Sequence, residues 1–128
     1  MSRIALCIFL VLIILHAGTF LTYGLLGGLI GLEPPQGVSP ATLFLSVFIM
    51  KLGHSVVFVL LFYFVRGSLK GRWLLYASLW WLMFAMNEVG QAIGPGYSWG
   101  EAWLGMLAEA IYFPVSALVT QRLVGVRT

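Results

Sequence analysis

The feature that most constrains this chain is a long apolar run near its start that contains no charged side chain. The run extends from Ile4 to Leu32, between Arg3 and Glu33. A helix needs about 20 residues to cross a hydrocarbon layer of roughly 30 Å, so the run can span a bilayer. It is longer than the apolar region of a signal peptide and has no clear small-residue cleavage site. We therefore predict a mature transmembrane helix over about residues 4–32.

The rest of the chain repeats this pattern of apolar segments separated by short polar connections. The connections at residues 33–40, 66–72 and 94–100 contain prolines, glycines or clustered charges, which interrupt helices. They separate apolar segments at about residues 41–65, 73–93 and 101–124. Apolar residues make up 61% of the 128 positions and charged residues only 9%, whereas soluble domains carry about 25% charged residues. We predict one all-α domain over residues 1–128, an integral membrane bundle of four transmembrane helices.

The basic residues predict how this bundle is oriented. Arg3, the 66–72 connection, Arg122 and Arg127 fall at one end of the predicted helices, while Glu33 and Glu101 fall at the other. Cytoplasmic loops carry the excess of lysine and arginine, so both termini are expected in the cytoplasm, with the protein multi-pass in the cell membrane. Because these charges follow topology and are not gathered on one face, the net charge of +3 gives no reason to expect a nucleic-acid partner.

Several ionisable side chains lie inside the apolar segments. Each costs at least about 2.5–3.5 kcal/mol near the bilayer centre, so it needs a partner, water or a role. Counting about 1.5 Å per residue from the basic ends places them in one layer, roughly 18–24 Å from the cytoplasmic edge. Since each helix has one polar stripe that can turn inward, we predict one cavity lined by this layer, holding water or a ligand. The layer comprises His16, Lys51, His54, Glu88 and Glu109, and the predicted binding residues also include Asn87, Gln91 and Tyr112.

The charges in this layer do not balance. We expect Lys51 to lie within ion-pair distance of Glu88 or Glu109, because pairing is the usual arrangement of membrane charges. One lysine cannot neutralise two glutamates, and the surplus carboxylate indicates a function. A transition metal held by the two histidines and two glutamates is disfavoured because Lys51 would repel it. The single cysteine, Cys7, rules out a multi-cysteine metal site, so neither a metal nor a cofactor is expected.

Three functions fit this pattern. The leading one is a proton- or cation-linked transporter or channel, in which Glu88 and Glu109 take up protons or a cationic group. The alternative is an intramembrane enzyme acting on a lipid or other apolar substrate, with Glu88, Glu109 or His54 as general acid or base. The mostly apolar residues between the layer and the basic end favour the enzyme, since they provide no obvious exit for an ion. A third is an accessory subunit whose polar residues bind a partner helix.

Glycine and proline add expectations about contacts and shape. Gly24 with Gly28, and Gly27 with Gly31, have the spacing that lets two membrane helices approach closely, so a homo-oligomer is a possible assembly. Pro114 is expected to kink the last helix near Glu109. The expected partners are therefore membrane lipid, a second copy of the chain, and a small ion or apolar ligand.

Overall fold

The computed structural model describes residues 2–126, so Arg127 lies outside the described residues. The predicted all-helical fold is confirmed, with four α-helices in the described part of the chain. They are α1 (Arg3–Leu26), α2 (Pro40–Leu69), α3 (Trp73–Ile93) and α4 (Trp99–Val124), and a short 3-10 helix, Gly28–Ile30, follows α1.

Local sequence signals explain where α2 and α4 begin. Ser39 caps α2 by accepting a hydrogen bond from the Thr42 backbone N–H at 3.1 Å, and Pro40 occupies the first turn, where no N–H is needed. Ser98 and Glu101 form a capping box at the start of α4. α2 continues past the predicted residue 65 to Leu69, and the chain leaves the helix at Lys70, which has φ 48°. The bounds of α3 agree with the prediction.

The first helix is shorter than predicted. It ends at Leu26, and the Leu32 N–H bonds to the Gly27 carbonyl at 2.9 Å across a tight turn. Gly31 has φ 73°, a left-handed conformation that glycine adopts without strain. Because glycine is a poor helix former, the glycine-rich end of the apolar run leaves the helix early. Gly27 and Gly31 therefore do not share a face of one helix, and the homo-oligomer contact through these glycines remains a prediction.

Helix α4 lies at the centre of the bundle. It packs along α1 on one side and α3 on the other, while α2 packs mainly against α1. α4 contributes more buried residues than any other helix and remains α-helical through Pro114. The core of the bundle is strongly aromatic. Its buried aromatic residues are Phe58, Phe62, Tyr76, Trp80, Tyr112 and Phe113.

The outer surface of the bundle is apolar. Three segments, Arg3–Ile30, Pro40–Leu69 and Trp99–Val124, are long and apolar enough to cross a membrane. Large apolar side chains such as Leu29, Phe64 and Ile93 are 74–79% exposed. Such a surface is unfavourable in water and suits a lipid environment. α3 is not among these three segments, and the polar residues Asn87, Glu88 and Gln91 lie in its last turns.

Candidate functional site

Two carboxyl groups from neighbouring helices meet inside the bundle. Glu88 of α3 is 9% exposed and Glu109 of α4 is 3% exposed, and their carboxyl groups are within hydrogen-bonding reach of each other. Glu109 Oε2 is buried with no hydrogen-bond partner in residues 2–126. We call Glu88 and Glu109 the carboxyl pair. A proton held between the two groups would supply the donor that the Glu109 oxygen lacks.

A glycine on α4 makes this contact possible. Gly105 is one turn before Glu109, and a Cβ atom at position 105 would lie 2.5 Å from the Glu88 carboxyl carbon. The Glu88 carboxyl group therefore rests against the bare backbone of α4. Any larger residue at position 105 would push Glu88 away from Glu109. The small residue in the polar stripe of α4 thus has a defined role, which is to admit the carboxyl group of a neighbouring helix.

Lys51 is close to the carboxyl pair but does not form the predicted ion pair. Its ammonium group donates a hydrogen bond to the Tyr112 hydroxyl at 3.1 Å and lies 4.8 Å from the centre of that ring. Within residues 2–126, no lysine or arginine nitrogen lies within 4.0 Å of a glutamate oxygen. The reason is that Tyr112 lies three residues after Glu109 on the same face of α4 and reaches Lys51 first. Lys51 therefore interacts with the two glutamates by longer-range electrostatic attraction and not by a direct ion pair.

Two tyrosines enclose the carboxyl pair at the end opposite the basic residues. Tyr97, in the connection between α3 and α4, donates its hydroxyl proton to the Glu88 carboxylate. Burial and this hydrogen bond raise the pKa of Tyr97 well above its usual range, so the phenol remains a donor. The Tyr23 hydroxyl neighbours Tyr97 and donates to the Glu101 carbonyl at 3.4 Å. Tyr97 is not predicted from the sequence because it lies in a connection, outside the helical periodicity.

The remaining predicted site residues are placed elsewhere. The His16 ring packs against Phe20 and Phe44, with centroid distances of 4.9 and 4.6 Å, and neither ring nitrogen has a hydrogen-bond partner in residues 2–126. The His54 ring packs edge-on against Phe84 at 5.0 Å. Asn87 and Gln91 are exposed on the surface of α3.

The structure thus brings Lys51, Glu88, Glu109 and Tyr112 into one cluster. In the described part of the chain, no three His, Cys, Asp or Glu side chains are grouped to hold a metal ion.

The polar stripe of α4 continues from the carboxyl pair toward the basic end. Ser116 and Thr120 are fully buried, and the Thr120 hydroxyl donates to the Ser116 carbonyl at 2.7 Å. The Cys7 thiol donates to the Thr120 hydroxyl at 3.5 Å, whereas the Ser116 hydroxyl has no partner in residues 2–126. The half of the bundle nearer the basic end therefore contains buried hydroxyl groups on α4 as well as apolar side chains. These hydroxyl groups lie beside the aromatic core.

Comparison of this chain with family models, curated proteins and solved structures finds no match. Its function is therefore inferred from the geometry of the carboxyl pair and its neighbours.

Proposed function

We propose that the protein is a proton-linked cation transporter whose binding site is the carboxyl pair. The observation that carries this proposal is the contact of Glu88 with Glu109 in the interior, with no lysine or arginine nitrogen of residues 2–126 within 4.0 Å. Two carboxylates this close cannot both remain ionised without compensation, because like charges repel strongly away from water. The pair must therefore hold a proton or a cation.

Charge balance indicates which cation fits. When the pair shares one proton it carries a single negative charge, which the nearby Lys51 ammonium balances. Loss of that proton leaves one uncompensated negative charge in the cluster. A monovalent cation restores neutrality, whereas a divalent cation leaves an excess positive charge beside Lys51. Proton and monovalent cation then compete for the same carboxylates, which is the requirement for exchange.

Polar groups on both sides of the carboxyl pair support access from both membrane faces. Tyr97 lies in the connection between α3 and α4, and its hydroxyl group donates a hydrogen bond to Glu88. The Tyr97 side chain is only partly buried, so it links Glu88 to the surface at this end. On the other side, Ser116 and Thr120 continue toward the basic end. Hydroxyl groups both donate and accept hydrogen bonds, so they are suitable relay groups for a proton. Transport requires such access to alternate between the two faces.

The proposal includes four membrane crossings, with both termini in the cytoplasm of the cell. Although α3 is not among the three segments found long and apolar enough to cross a membrane, its Leu79, Leu82 and Met86 are 53–61% exposed and would contact lipid. The connections after α1 and α3 would then face outward, and the connection after α2 would face the cytoplasm. The excess of basic residues at the end that carries the connection after α2 favours this orientation.

Single cysteines introduced at exposed positions in a connection and near a helix end test the orientation. A cysteine at Gln36 should react with a membrane-impermeant maleimide applied to intact cells, because Gln36 is exposed in the connection between α1 and α2. A cysteine at Ser68 should react only after the membrane is opened. The native Cys7 is fully buried and serves as the internal background. Labelling of position 68 in intact cells would show that the proposed orientation is inverted.

Reconstitution into liposomes tests transport itself. A pH gradient should drive uptake of Na⁺ or K⁺, detected with ion-sensitive dyes inside the liposomes, together with proton release. Glu88→Gln and Glu109→Gln should reduce both fluxes to the rate of protein-free liposomes, because an amide cannot release a proton. Glu33→Gln removes an exposed carboxylate outside the cluster and should leave the flux unchanged. Full coupled flux in a folded Glu109→Gln variant would contradict the proposal.

The aromatic core favours one second candidate, an intramembrane enzyme for a lipid or other apolar substrate. Phe58, Trp80 and Phe113 are packed ring against ring at 5.2–5.9 Å between the carboxyl pair and the basic end. This arrangement would close a pocket on its inner side, as an enzyme requires, with Glu88 or Glu109 as general acid or base. A folded protein that supports no flux but retains a lipid-like molecule during purification would favour this candidate.

A further inference from the structure

A separate polar feature lies at the basic end of the bundle, away from the carboxyl pair. It is a groove of about 490 Å³ between the start of α1, the last turns of α2 and the end of α4. This volume is within the range of small-ligand sites. Arg3 and Arg66 line the groove together with Tyr63, and much of the remaining wall is apolar, including Ile4, Leu123 and Val124. We call this feature the basic groove.

The positive charge of the basic groove is not balanced by the described protein. The chain has four acidic residues, at positions 33, 88, 101 and 109, and none lies at this end of the helices. Within residues 2–126, no glutamate oxygen comes within 4.0 Å of Arg3 or Arg66. Two guanidinium groups that line one groove repel each other, and an anion between them removes that repulsion.

One of these guanidinium groups is held in place by an aromatic ring. The Arg66 Cζ atom lies 3.5 Å from the centre of the Tyr63 ring. A guanidinium stacked in this way keeps its plane fixed while its N–H groups remain free along the edge. Such an edge donates paired hydrogen bonds to the oxygens of a phosphate. The stack therefore prepares Arg66 to bind two oxygens of one anion, such as a phosphate.

We propose that the basic groove binds a phosphate group, carried by an anionic phospholipid or free in solution. The guanidinium groups of Arg3 and Arg66 hold the phosphate oxygens. The apolar wall formed by Ile4, Leu123 and Val124 suits the glycerol and upper acyl region of a lipid. The groove lies at the ends of helices that cross a membrane, which is also the depth of phospholipid headgroups. This proposal does not depend on the function of the carboxyl pair.

Thermal unfolding in nanodiscs, followed by tryptophan fluorescence, tests the proposal. The reference sample is the protein in phosphatidylcholine nanodiscs. In one comparison, part of the phosphatidylcholine is replaced by phosphatidylglycerol. In the other, inorganic phosphate is added, and chloride at the same ionic strength is the control. Stabilisation by phosphatidylglycerol alone identifies a lipid phosphate, and stabilisation by inorganic phosphate identifies a free one. The Arg3→Gln/Arg66→Gln variant should bind the stabilising probe at least about tenfold more weakly, because charged hydrogen bonds are lost. Stabilisation by neither probe would overturn the proposal.

A matched variant separates this site from general attraction between basic residues and anions. Arg122 is exposed at the same end and does not line the groove, so Arg122→Gln should retain the binding. Arg66→Lys keeps the charge but loses the planar fork, and it should lose most of the affinity. If the double Gln variant does not fold, Arg66→Lys still gives the decisive comparison. Equal loss in the Arg122 and Arg66 variants would overturn the proposal.

Discussion

Replacing Lys51 with methionine should destabilise the folded protein by about 3–5 kcal/mol, the usual cost of leaving a buried charge without its compensating partner. Methionine keeps the length and apolar stem of lysine, so the change removes mainly the charge and the hydrogen bond to Tyr112. The negative charge that remains on the carboxyl pair then has no positive group close to it. Reversible chemical unfolding in mixed micelles, followed by tryptophan fluorescence, measures the loss.

The double variant Lys51→Met/Glu109→Gln should recover most of that stability, because glutamine removes the uncompensated charge and leaves one protonatable group. Lys70→Met provides the matched control. Lys70 is the other lysine of the chain and lies exposed at the basic end, so its removal should change stability by less than about 0.5 kcal/mol. If the double variant unfolds at the same denaturant concentration as Lys51→Met, Lys51 and the carboxyl pair are not coupled.

Gly105→Ala should cost about 0.5–2 kcal/mol. The usual cost of about 1–3 kcal/mol for inserting a methyl group against buried atoms is partly offset by about 0.5–1 kcal/mol of better helix propensity. The added Cβ would lie 2.5 Å from the Glu88 Cδ atom, so the Glu88 carboxyl group must move, and we expect it to separate from Glu109. Separation of the two carboxyl groups should also remove cation-proton exchange in liposomes, although no ionisable residue has been changed. Unfolding in micelles and the liposome flux assay together test both parts of this prediction.

Gly90→Ala is the control for this substitution. Gly90 lies in α3, and an added Cβ there would meet no atom within 4 Å. Alanine should therefore stabilise this helix by about 0.5–1 kcal/mol, through its better helix propensity. The two glycine substitutions are thus expected to have opposite signs. A Gly105→Ala variant as stable and as active as Gly90→Ala would show that the Glu88 carboxyl group does not depend on the absence of a side chain at position 105.

The candidate site was predictable in part from the sequence. Depth along each helix follows from the constant rise per residue, so the sequence predicts similar heights for Lys51, Glu88 and Glu109, which are neighbours in the structure. The same argument included His16, whose ring instead packs among phenylalanines of α1 and α2. Height does not specify the direction in which a side chain points around the bundle axis. Tyr97 was missed for a related reason, since a connection has no helical period from which to read a face.

The sequence by itself determined that this chain forms four helices, where α3 begins and ends, and that most of its surface suits lipid. These properties depend on local features: long apolar runs, capping residues, and the prolines and glycines between them. Only the tertiary structure decided that α4 is central, that Glu88 meets Glu109 over Gly105, and that Lys51 bonds to Tyr112. Periodicity defines the faces of each helix, but the choice of neighbouring faces depends on contacts between residues distant in the chain. Gly18 and Tyr112 are one such pair, because a Cβ atom added at Gly18 would lie only 3.0 Å from the Tyr112 ring.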